Sequence, residues 1–232
     1  MKKKIPDFYI LCGGKGTRAK KYSNNKPKIL IHIKKRPFLY WVLKNLEKKK
    51  VKNVYLCVGY LSNQIIEYVD KIKSQFSLKI FISYENKKLG TGGAIKKALK
   101  NKKENFFVMY GDTFLFFNLK KILEYALKNN SKSIITIYKN KDKKYLNNIS
   151  FINKKLNFQR NSLYIDYGLI YFYKNHFKVK KTSFDLQVQL TKLMLEKKNI
   201  PLKIKKKFLE IGSYHGYKKT KKYFKNIKNE IY

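Results

Sequence analysis

Short apolar runs of strand length recur along the first 140 residues, separated by longer stretches with helical spacing. The runs lie at 8–12, 54–59, 78–84, 106–110 and 133–139. Their positions are continuously apolar rather than alternating, which is typical of strands that are covered on both faces. The stretches between them repeat apolar residues every three or four positions, as at Leu39, Val42 and Leu46. This order predicts a mostly parallel sheet with helices on both faces.

The pattern changes in the last third of the chain. Strand-like segments lie at 149–158 and 163–173, and apolar spacing predicts a helix over 186–196. No internal repeat and no linker rich in Pro or Ser divides the sequence. We therefore predict a single α/β domain over residues 1–232, a Rossmann-like three-layer sandwich with a mostly parallel mixed sheet whose C-terminal part extends that sheet.

Composition excludes several classes of protein. The 232 residues are 44% hydrophobic and 16% aromatic, which argues against disorder. No apolar run approaches the roughly 20 residues that span a bilayer, and the apolar segment after Met1-Lys2-Lys3-Lys4 is too short for a signal peptide. The two cysteines, Cys12 and Cys57, lie in apolar runs and are predicted to be buried free thiols. We expect a cytoplasmic protein with no membrane partner.

The net charge of +41 comes from 55 basic and 14 acidic residues. Only Arg18, Arg36 and Arg160 are arginines, although arginine is the preferred side chain for guanine and phosphate contacts in nucleic-acid recognition. The lysines are spread from Lys2 to Lys228 rather than gathered in one segment. We interpret the charge as compositional drift toward Lys and Asn and expect no nucleic-acid partner. The positive field still attracts small anions such as nucleotides.

A glycine-rich loop follows the first predicted strand, in the segment Leu11 to Arg18, and a Pro-Lys pair ends at Lys28. Ligands bind at the carboxyl ends of the strands of such sheets. Gly13, Gly14 and Gly16 let backbone N–H groups approach phosphate oxygens closely, and the following helix start adds positive potential. Arg18 and Lys28 are spaced to neutralise a triphosphate.

Two common glycine motifs fit this loop poorly. The P-loop pattern G-x-x-x-x-G-K-[S/T] does not occur. A dinucleotide fingerprint fits loosely as Gly14-x-Gly16-x-x-Ala19, but no acidic residue occurs between Asp7 and Glu47 to bind a ribose. A nicotinamide-dependent reductase is therefore disfavoured.

The loop and the Pro-Lys pair resemble the hallmark of the nucleotidyltransferases that join a nucleoside triphosphate to a sugar 1-phosphate. The resemblance extends over nearly the whole chain. Within the family, the short length and the segments Leu-Gly-Thr-Gly-Gly-Ala and Gly-Asp-Thr are similar to guanylyltransferases acting on D-glycero-D-manno-heptose 1-phosphate. The other matching segments are Pro37-Phe38-Leu39, Glu85 to Ala94, Tyr110-Gly111-Asp112-Thr113, Asp166-Tyr167-Gly168 and Glu210-Ile211-Gly212-Ser213.

The resemblance implies a role for each matching segment, with about 1–140 as the nucleotide-binding half and about 141–232 as the sugar-binding half. It implies nucleoside triphosphate and sugar 1-phosphate as substrates and is compatible with a homodimer. The implied catalytic residues are Arg18, Lys28 and Asp112. The implied nucleotide-binding residues are Leu11, Gly13, Gly14, Gly16, Thr17, Glu85, Gly90, Thr91 and Gly111. The implied sugar-phosphate-binding residues are Arg160, Asp166, Tyr167 and Gly168.

The metal expectation concerns Asp112 and Glu210. Two polyanions must meet during transfer to a sugar phosphate, so charge neutralisation is the main catalytic task. One or two carboxylates with phosphate oxygens typically hold Mg²⁺. The resemblance assigns both acids to this ion. Because two carboxylates at one metal site repel each other without the ion, we expect neutral replacement of either to affect folding little.

The sequence departs from the family's pattern at the sugar phosphate. The usual Glu-Lys pair is absent, and Arg160, Lys154 or Lys155 is the candidate replacement. His215 follows the late motif and is predicted to be a surface or packing residue. The base and the sugar stay open: CTP, UTP or dTTP with another phosphorylated substrate is the alternative, as is a non-catalytic nucleotide sensor.

Overall fold

The computed structural model describes residues 4–14, 20–23, 25–140, 149–152, 155–158 and 162–226. The chain forms two compact units. The first unit comprises Met1–Lys88, Met109–Phe114 and Leu209–Tyr232, and the second unit comprises Leu89–Val108 and Leu115–Phe208. Both are discontinuous in sequence, whereas the predicted nucleotide and sugar halves divide near residue 140. That division concerns ligands and stays a prediction.

Strands and helices alternate along most of the chain. The strands are β1 (Asp7–Leu11), β2 (His32–Ile33), β3 (Arg36–Pro37), β4 (Asn53–Val58), β5 (Lys79–Tyr84), β6 (Phe106–Tyr110), β7 (Thr113–Phe114), β8 (Ser133–Lys139), β9 (Ile149–Ile152), β10 (Lys155–Phe158), β11 (Tyr164–Phe172), β12 (Asn199–Ile204) and β13 (Leu209–Glu210). The helices are α1 (Lys20–Ser23), α2 (Phe38–Lys48), α3 (Ser62–Ile72), α4 (Gly90–Leu99), α5 (Leu119–Lys128), α6 (Leu186–Leu195) and α7 (Tyr214–Lys225).

A parallel sheet forms the centre of the first unit. β4 pairs with β1 on one side and β5 on the other, both in parallel register, so that Leu56 lies opposite Ile10 and Ile82. Ile10 and Leu56 are fully buried, as expected for strands covered on both faces. The ring of Phe224 in α7 lies 4.9 Å from Trp41 in α2, which attaches the last helix to the core.

The second unit has a mixed sheet. β8 pairs antiparallel with β11 and parallel with β12, and β9 and β10 form an antiparallel pair. α5 begins at Asn118, whose side-chain oxygen accepts a hydrogen bond from the Lys121 backbone N–H at 3.1 Å. Such N-caps satisfy a donor that the first helical turn leaves unpaired. The rings of Phe106 and Phe172 stack at 5.1 Å in the core of this unit.

Most predicted elements agree with the structure to within two residues. The five apolar runs correspond to β1, β4, β5, β6 and β8, and the predicted helix at 186–196 corresponds to α6. The segment 149–158 is two strands rather than one, and the matching segment Glu85 to Ala94 includes the first residues of α4, which begins at Gly90. Cys12 and Cys57 are buried and free, as predicted. Across the described ranges, no helix combines the length and apolar character needed to cross a bilayer.

Candidate active site

The carboxyl ends of four strands converge at one edge of the first unit. Gly13, Gly59, Glu85 and Gly111 follow β1, β4, β5 and β6 by one or two residues. A Cβ on Gly13 would lie 3.0 Å from Oε1 of Glu85 and 3.2 Å from the Gly59 nitrogen. Glu85 therefore lies against the start of the glycine-rich loop, and its proposed contact with a nucleotide stays a prediction.

Gly111, the residue after β6, contacts the end of β1. Its N–H donates to the Leu11 carbonyl at 3.0 Å, and a Cβ on Gly111 would lie 2.6 Å from the same oxygen. No L side chain fits there without moving the backbone. Gly14 differs, because a Cβ on Gly14 would meet no heavy atom of the described residues within 4 Å. Among the described residues, the backbone is thus tightly packed at Gly111, after β6, and open at Gly14 in the glycine-rich loop.

Lys28 and Asp112 form an ion pair at this edge. Nζ of Lys28 lies 2.7 Å from Oδ2 of Asp112, and the two side chains are 21% and 28% exposed. Lys28 starts a short 3-10 turn whose next residues, Ile29 and Leu30, are buried. The buried turn holds the Lys28 backbone in place.

Glu210 is brought to Asp112 by the pairing of two very short strands. β13 pairs antiparallel with β7, with Glu210 opposite Thr113, and the Ile211 N–H donates to the Asp112 carbonyl at 3.0 Å. A Cβ on Gly212 would lie 2.9 Å from Oδ2 of Asp112 and 3.3 Å from Oε2 of Glu210. The two carboxylates therefore face the same small space.

The Glu210 carboxylate also holds Gly212 and Ser213, the residues that lead into α7, and Ser213 is the N-cap of that helix. Its Oε2 accepts hydrogen bonds from the N–H groups of Gly212 at 2.6 Å and Ser213 at 2.8 Å, and Oε1 accepts one from the Ser213 hydroxyl. A carboxylate is favoured at a helix N-terminus. A Cβ on Gly216, in the first turn of α7, would lie 1.7 Å from Oε1, so this position requires glycine. Glu210 thus has a structural role in addition to the one predicted.

Tyr22 was not predicted and lies beside these residues. It belongs to α1, and its hydroxyl donates to the Ile211 carbonyl at 2.9 Å. Its ring stacks on Tyr217 of α7 at 4.8 Å. Tyr22 therefore ties α1 to the segment that carries Glu210. Among 19 tyrosines, no sequence signal singles it out.

Several predicted site residues lie outside the described residues. They include Gly16, Thr17 and Arg18 of the glycine-rich loop, and Arg160 with its alternative Lys154. Lys155 is described only as part of β10. Their assigned roles stay predictions.

In the second unit, the segment after Leu89 packs against Phe184. The N–H groups of Gly92 and Gly93 both donate to the Phe184 carbonyl, at 2.9 and 3.1 Å. A Cβ on Gly92 would lie 2.2 Å from the Phe184 ring. Both N–H groups therefore already have an intramolecular acceptor in this structure.

Gly90 and Thr91 belong to the same packing arrangement. Gly90 has a φ of +73°, and a Cβ on it would lie 2.6 Å from the Phe184 carbonyl oxygen. The Thr91 hydroxyl accepts a hydrogen bond from the Leu186 N–H at 2.8 Å, at the start of α6. Their contacts with a nucleotide stay predictions.

The predicted sugar segment forms a β-bulge in β11. The pairing of β11 with β8 shifts register between Asp166 and Ile170, and Gly168 has a φ of +92°. Oδ1 of Asp166 accepts a hydrogen bond from the Gly168 N–H at 2.8 Å. The Tyr167 side chain is buried, and its hydroxyl bonds both the N–H and the carbonyl of Phe116 at 3.0 Å. Tyr167 thus anchors the bulge, which leaves Asp166 as the more accessible side chain.

The cysteines near the edge are unsuited to nucleophilic chemistry. Burial, followed by the nearby Cys57 and Asp112, raises the pKa of the Cys12 thiol well above its usual value. Burial, followed by Glu85, likewise raises the pKa of Cys57. Both thiols stay protonated at neutral pH, and a thiol is a far weaker nucleophile than a thiolate.

The remaining candidate groups are His215 and possible metal ligands. His215 is exposed, as predicted for a surface residue. In the portions of the chain with described coordinates, no group of three or more His, Cys, Asp or Glu side chains is arranged to hold a metal ion. Any ion at Asp112 and Glu210 would need further oxygen ligands from water or a bound phosphate.

Solved structures show the class of fold. The chain superposes on HddC from Yersinia pseudotuberculosis with a TM-score of 0.81 at 27% identity, covering 94% of this chain and 99% of that chain. The same protein complexed with GMP-PN gives a TM-score of 0.80 at 28% identity, with the same shares covered. The fold is the predicted one, a mixed and mostly parallel α/β sheet of the nucleotide-diphospho-sugar transferase type.

Sequence comparison identifies the family. The nucleotidyl transferase family model matches residues 9–147. A D-glycero-alpha-D-manno-heptose 1-phosphate guanylyltransferase of Campylobacter jejuni is 43% identical over 114 residues, 49% of this chain and 50% of the relative. The bifunctional protein GlmU of Methanococcus maripaludis is 30% identical over 217 residues, 90% of this chain and 48% of the relative. The chain belongs to the nucleotidyl transferase family, and it spans about half the length of these relatives.

Proposed function

We propose that the protein transfers GMP from GTP to a heptose or mannose type of sugar 1-phosphate, releasing pyrophosphate and making a GDP-sugar for surface glycan synthesis. The observation that carries the proposal is the Lys28–Asp112 pair beside Glu210, at the strand ends where Gly13 and Gly111 lie. Guanine as the base is supported by two similar proteins: the Campylobacter jejuni relative is a guanylyltransferase, and HddC has been solved in complex with GMP-PN.

The proposed step exchanges one P–O bond for another. An oxygen of the sugar 1-phosphate attacks the α-phosphorus of GTP, and the bond from that phosphorus to the pyrophosphate oxygen breaks. The attacking oxygen is already anionic, so no general base is needed. Catalysis then rests on positioning two polyanions and neutralising their charge. Lys28 and Arg18 are the proposed cationic partners of the triphosphate.

Glycines allow the nucleotide to approach the chain. The open space beside Gly14 lets backbone N–H groups of the loop meet phosphate oxygens. Leu11, Gly13 and Gly111 are proposed to line the same approach, together with Glu85. In the second unit, Asp166 and the main chain at Gly168 are the proposed contacts of the sugar.

Nucleotidyltransferases of this family generally use a divalent metal. The two residues are of the right chemistry for such an ion, because Oδ2 of Asp112 and Oε2 of Glu210 both lie beside Gly212 and carboxylate oxygens are the ligands that Mg²⁺ prefers. We propose that they hold Mg²⁺. Three hydrogen bonds already reach the Glu210 carboxylate, so Glu210 would use its remaining lone pairs. The ion would supply charge neutralisation on the phosphate oxygens.

A single screen tests the proposal. The purified full chain is incubated with Mg²⁺, each of the four nucleoside triphosphates and a panel of sugar 1-phosphates, and pyrophosphate release is measured. We expect release with GTP only when a heptose or mannose 1-phosphate is added. Release with CTP, UTP or dTTP instead would keep the reaction and change the base. If no combination releases pyrophosphate, the enzyme proposal is wrong and the sensor is preferred.

We further propose that the protein acts in the cytoplasm, forms a homodimer and has no nucleic-acid partner. Its basic residues include only three arginines among 55, which supports the last point. Cell fractionation, light scattering and titration with duplex DNA at about 150 mM salt test the three statements separately. A sequence-specific complex with nanomolar affinity would contradict the last one.

A further inference from the structure

A separate cleft of about 390 Å³ lies in the first unit. Its walls come from residues 26–37, which include the β2–β3 pair, and from α3. The volume is within the range of small-molecule sites. None of its lining residues was predicted from the sequence to bind substrate or metal.

The cleft gathers four cationic side chains and one carboxylate. Lys26, Lys35, Arg36 and Lys71 line it together with Glu67. Throughout the described residues, no carboxylate pairs with any of these four cations within 4.0 Å. In a chain of net charge +41, exposed lysines alone indicate nothing. What distinguishes these is their convergence on a concave surface, where like charges repel unless an anion lies between them.

The lining also holds a polar group that lacks a partner. The Tyr68 hydroxyl is buried and, among the described residues, has no hydrogen-bond partner. Burial raises the pKa of Tyr68 to about 12, and the nearby Arg36 guanidinium opposes that rise. A buried hydroxyl that makes no hydrogen bond costs stability. A ligand oxygen bound beside Arg36 would give this hydroxyl its missing acceptor.

We propose that this cleft is a second anion site, separate from the Asp112 site, which binds a phosphate group through Arg36, Lys71 and the Tyr68 hydroxyl. The planar guanidinium of Arg36 suits two oxygens of one phosphate, and the lysine ammonium groups add charge. The phosphate group is either inorganic phosphate or that of a small phosphate monoester. The proposal goes beyond the function proposed above and does not depend on it.

The chain contains its own reporter for this site. Trp41 is its single tryptophan, and its indole N–H donates to the Ile33 carbonyl at 2.9 Å. Ile33 pairs with Arg36 in the β2–β3 hairpin that lines the cleft. Binding at Arg36 should therefore change the fluorescence of Trp41. The full chain is titrated with inorganic phosphate, and separately with mannose 1-phosphate, at about 150 mM NaCl to screen weak surface binding.

The expected result is a saturable fluorescence change that depends on the cleft. In Arg36→Gln/Lys71→Gln the dissociation constant should rise by at least about tenfold, because charge-assisted hydrogen bonds are lost. The matched control Lys52→Gln/Lys79→Gln removes the same charge from exposed positions outside the cleft and should bind as wild type does. Tighter binding of mannose 1-phosphate than of inorganic phosphate would assign a monoester, and equal binding would assign free phosphate.

Two results would overturn the proposal. One is the absence of a saturable change, or an equal loss of affinity in both double variants, which would indicate diffuse attraction to a basic surface. The other is a response that disappears in Lys28→Gln but persists in Arg36→Gln/Lys71→Gln, which would move binding to the Asp112 site.

Tyr68→Phe gives an independent test, because the proposal predicts that it lowers phosphate affinity without lowering the melting temperature. Removing an unsatisfied buried hydroxyl should leave the melting temperature of the phosphate-free protein equal or higher, while phosphate affinity falls several-fold. A lower melting temperature with unchanged affinity would show that the hydroxyl serves the fold and not the ligand.

Discussion

Nζ of Lys28 lies 2.7 Å from Oδ2 of Asp112, so the lysine of the Pro-Lys pair and the aspartate after β6 form one charged unit. Each partner is held by a different element. Lys28 begins a 3-10 turn whose other two residues are buried. The backbone carbonyl of Asp112 accepts a hydrogen bond from the Ile211 N–H at 3.0 Å. Replacing either residue therefore changes the charge around the other without removing its backbone support.

The first prediction follows from this ion pair and concerns the rate of pyrophosphate release. Asp112→Asn and Lys28→Gln should each lower the rate of pyrophosphate release by at least about 10²-fold, because one strong electrostatic contact to the transition state is worth roughly 2.7–4 kcal/mol. The double variant should lose much less than the product of the two single losses, since groups that act as a unit are not additive. Steady-state rates with GTP and the best sugar 1-phosphate provide the measurement.

Asp70→Asn is the matched control for charge. Asp70 is exposed in α3 and pairs at 2.8 Å with Lys73, the residue after that helix, so its neutral replacement should leave the rate within about twofold of wild type. Full activity in Asp112→Asn, or strictly multiplicative losses in the double variant, would contradict the shared role of the pair.

The second prediction revises an expectation from the sequence and concerns stability. Glu210→Gln should lower the free energy of unfolding by about 1–3 kcal/mol, because its carboxylate accepts three hydrogen bonds at the start of α7. The sequence led us to expect that neutral replacement affects folding little, and these hydrogen bonds are why we now expect a loss of stability for Glu210→Gln. For Asp112→Asn, whose carboxylate pairs with Lys28 at a partly exposed position, we expect a loss below about 1 kcal/mol.

Urea unfolding of the metal-free proteins separates these two effects. Glu124→Gln serves as control, since Glu124 is exposed on α5 and lies 3.9 Å from Lys120. Equal stability of Glu210→Gln and wild type would show that the charge of the Glu210 carboxylate adds nothing to the stability of the segment before α7.

The parallel strands were predictable because of how they are buried. β1 and β4 are covered on both faces, so they must be continuous apolar runs, and such runs are visible without a structure. The pairing of β7 with β13 was not predictable, since strands of two residues carry no periodic pattern. α7 was missed for a related reason: its only buried residues are Gly216, Thr220 and Phe224, in a helix otherwise rich in lysine.

Motif residues were easier to locate than to interpret. The sequence identified Gly92 and Gly93 as part of a loop, but their use depends on Phe184, a residue distant in sequence whose ring and carbonyl occupy the space beside them. Glu210 was identified as an acid near Asp112, and only the structure shows the hydrogen bonds that tie it to α7. Contacts of this kind are set by tertiary packing, which one sequence does not encode locally.

The third prediction contrasts two glycines of the site. Gly111→Ala should destabilise the protein by about 1–3 kcal/mol, because its Cβ would lie 2.6 Å from the Leu11 carbonyl oxygen. Gly14→Ala should leave the melting temperature nearly unchanged, since no heavy atom in the described part of the chain lies within 4 Å of the added Cβ. If the open space at Gly14 receives the nucleotide, the same variant should raise the dissociation constant for GTP about tenfold or more.

Thermal melts and equilibrium GTP binding of the two variants provide the measurement. A destabilised Gly14→Ala would show that the loop is tighter than its geometry indicates. A stable Gly14→Ala that binds GTP as wild type does would remove Gly14 from the proposed nucleotide contacts.

The fourth prediction concerns acid stability and rests on His176 in the second unit. His176 is buried, and its Nδ1 lies 3.0 Å from the Ser133 hydroxyl, which accepts the Tyr173 N–H and so has its own proton free for a neutral ring. Burial, followed by Lys198 and Lys132, lowers the pKa of His176, and Glu196 opposes these effects only in part.

Because the folded state disfavours the imidazolium, the unfolded chain binds the proton more tightly than the folded chain does. Stability should therefore be full above about pH 6.5, the ordinary pKa of histidine, and should fall as the pH drops from there through the lowered folded value. His176→Asn keeps an acceptor for the Ser133 hydroxyl but does not titrate, so its unfolding free energy should decline less between pH 7.5 and 5 than that of wild type. Urea unfolding of both proteins at four pH values across this range measures the two slopes. Identical slopes for wild type and His176→Asn, or a wild type that gains stability on acidification, would show that His176 is not the group that opposes folding at low pH.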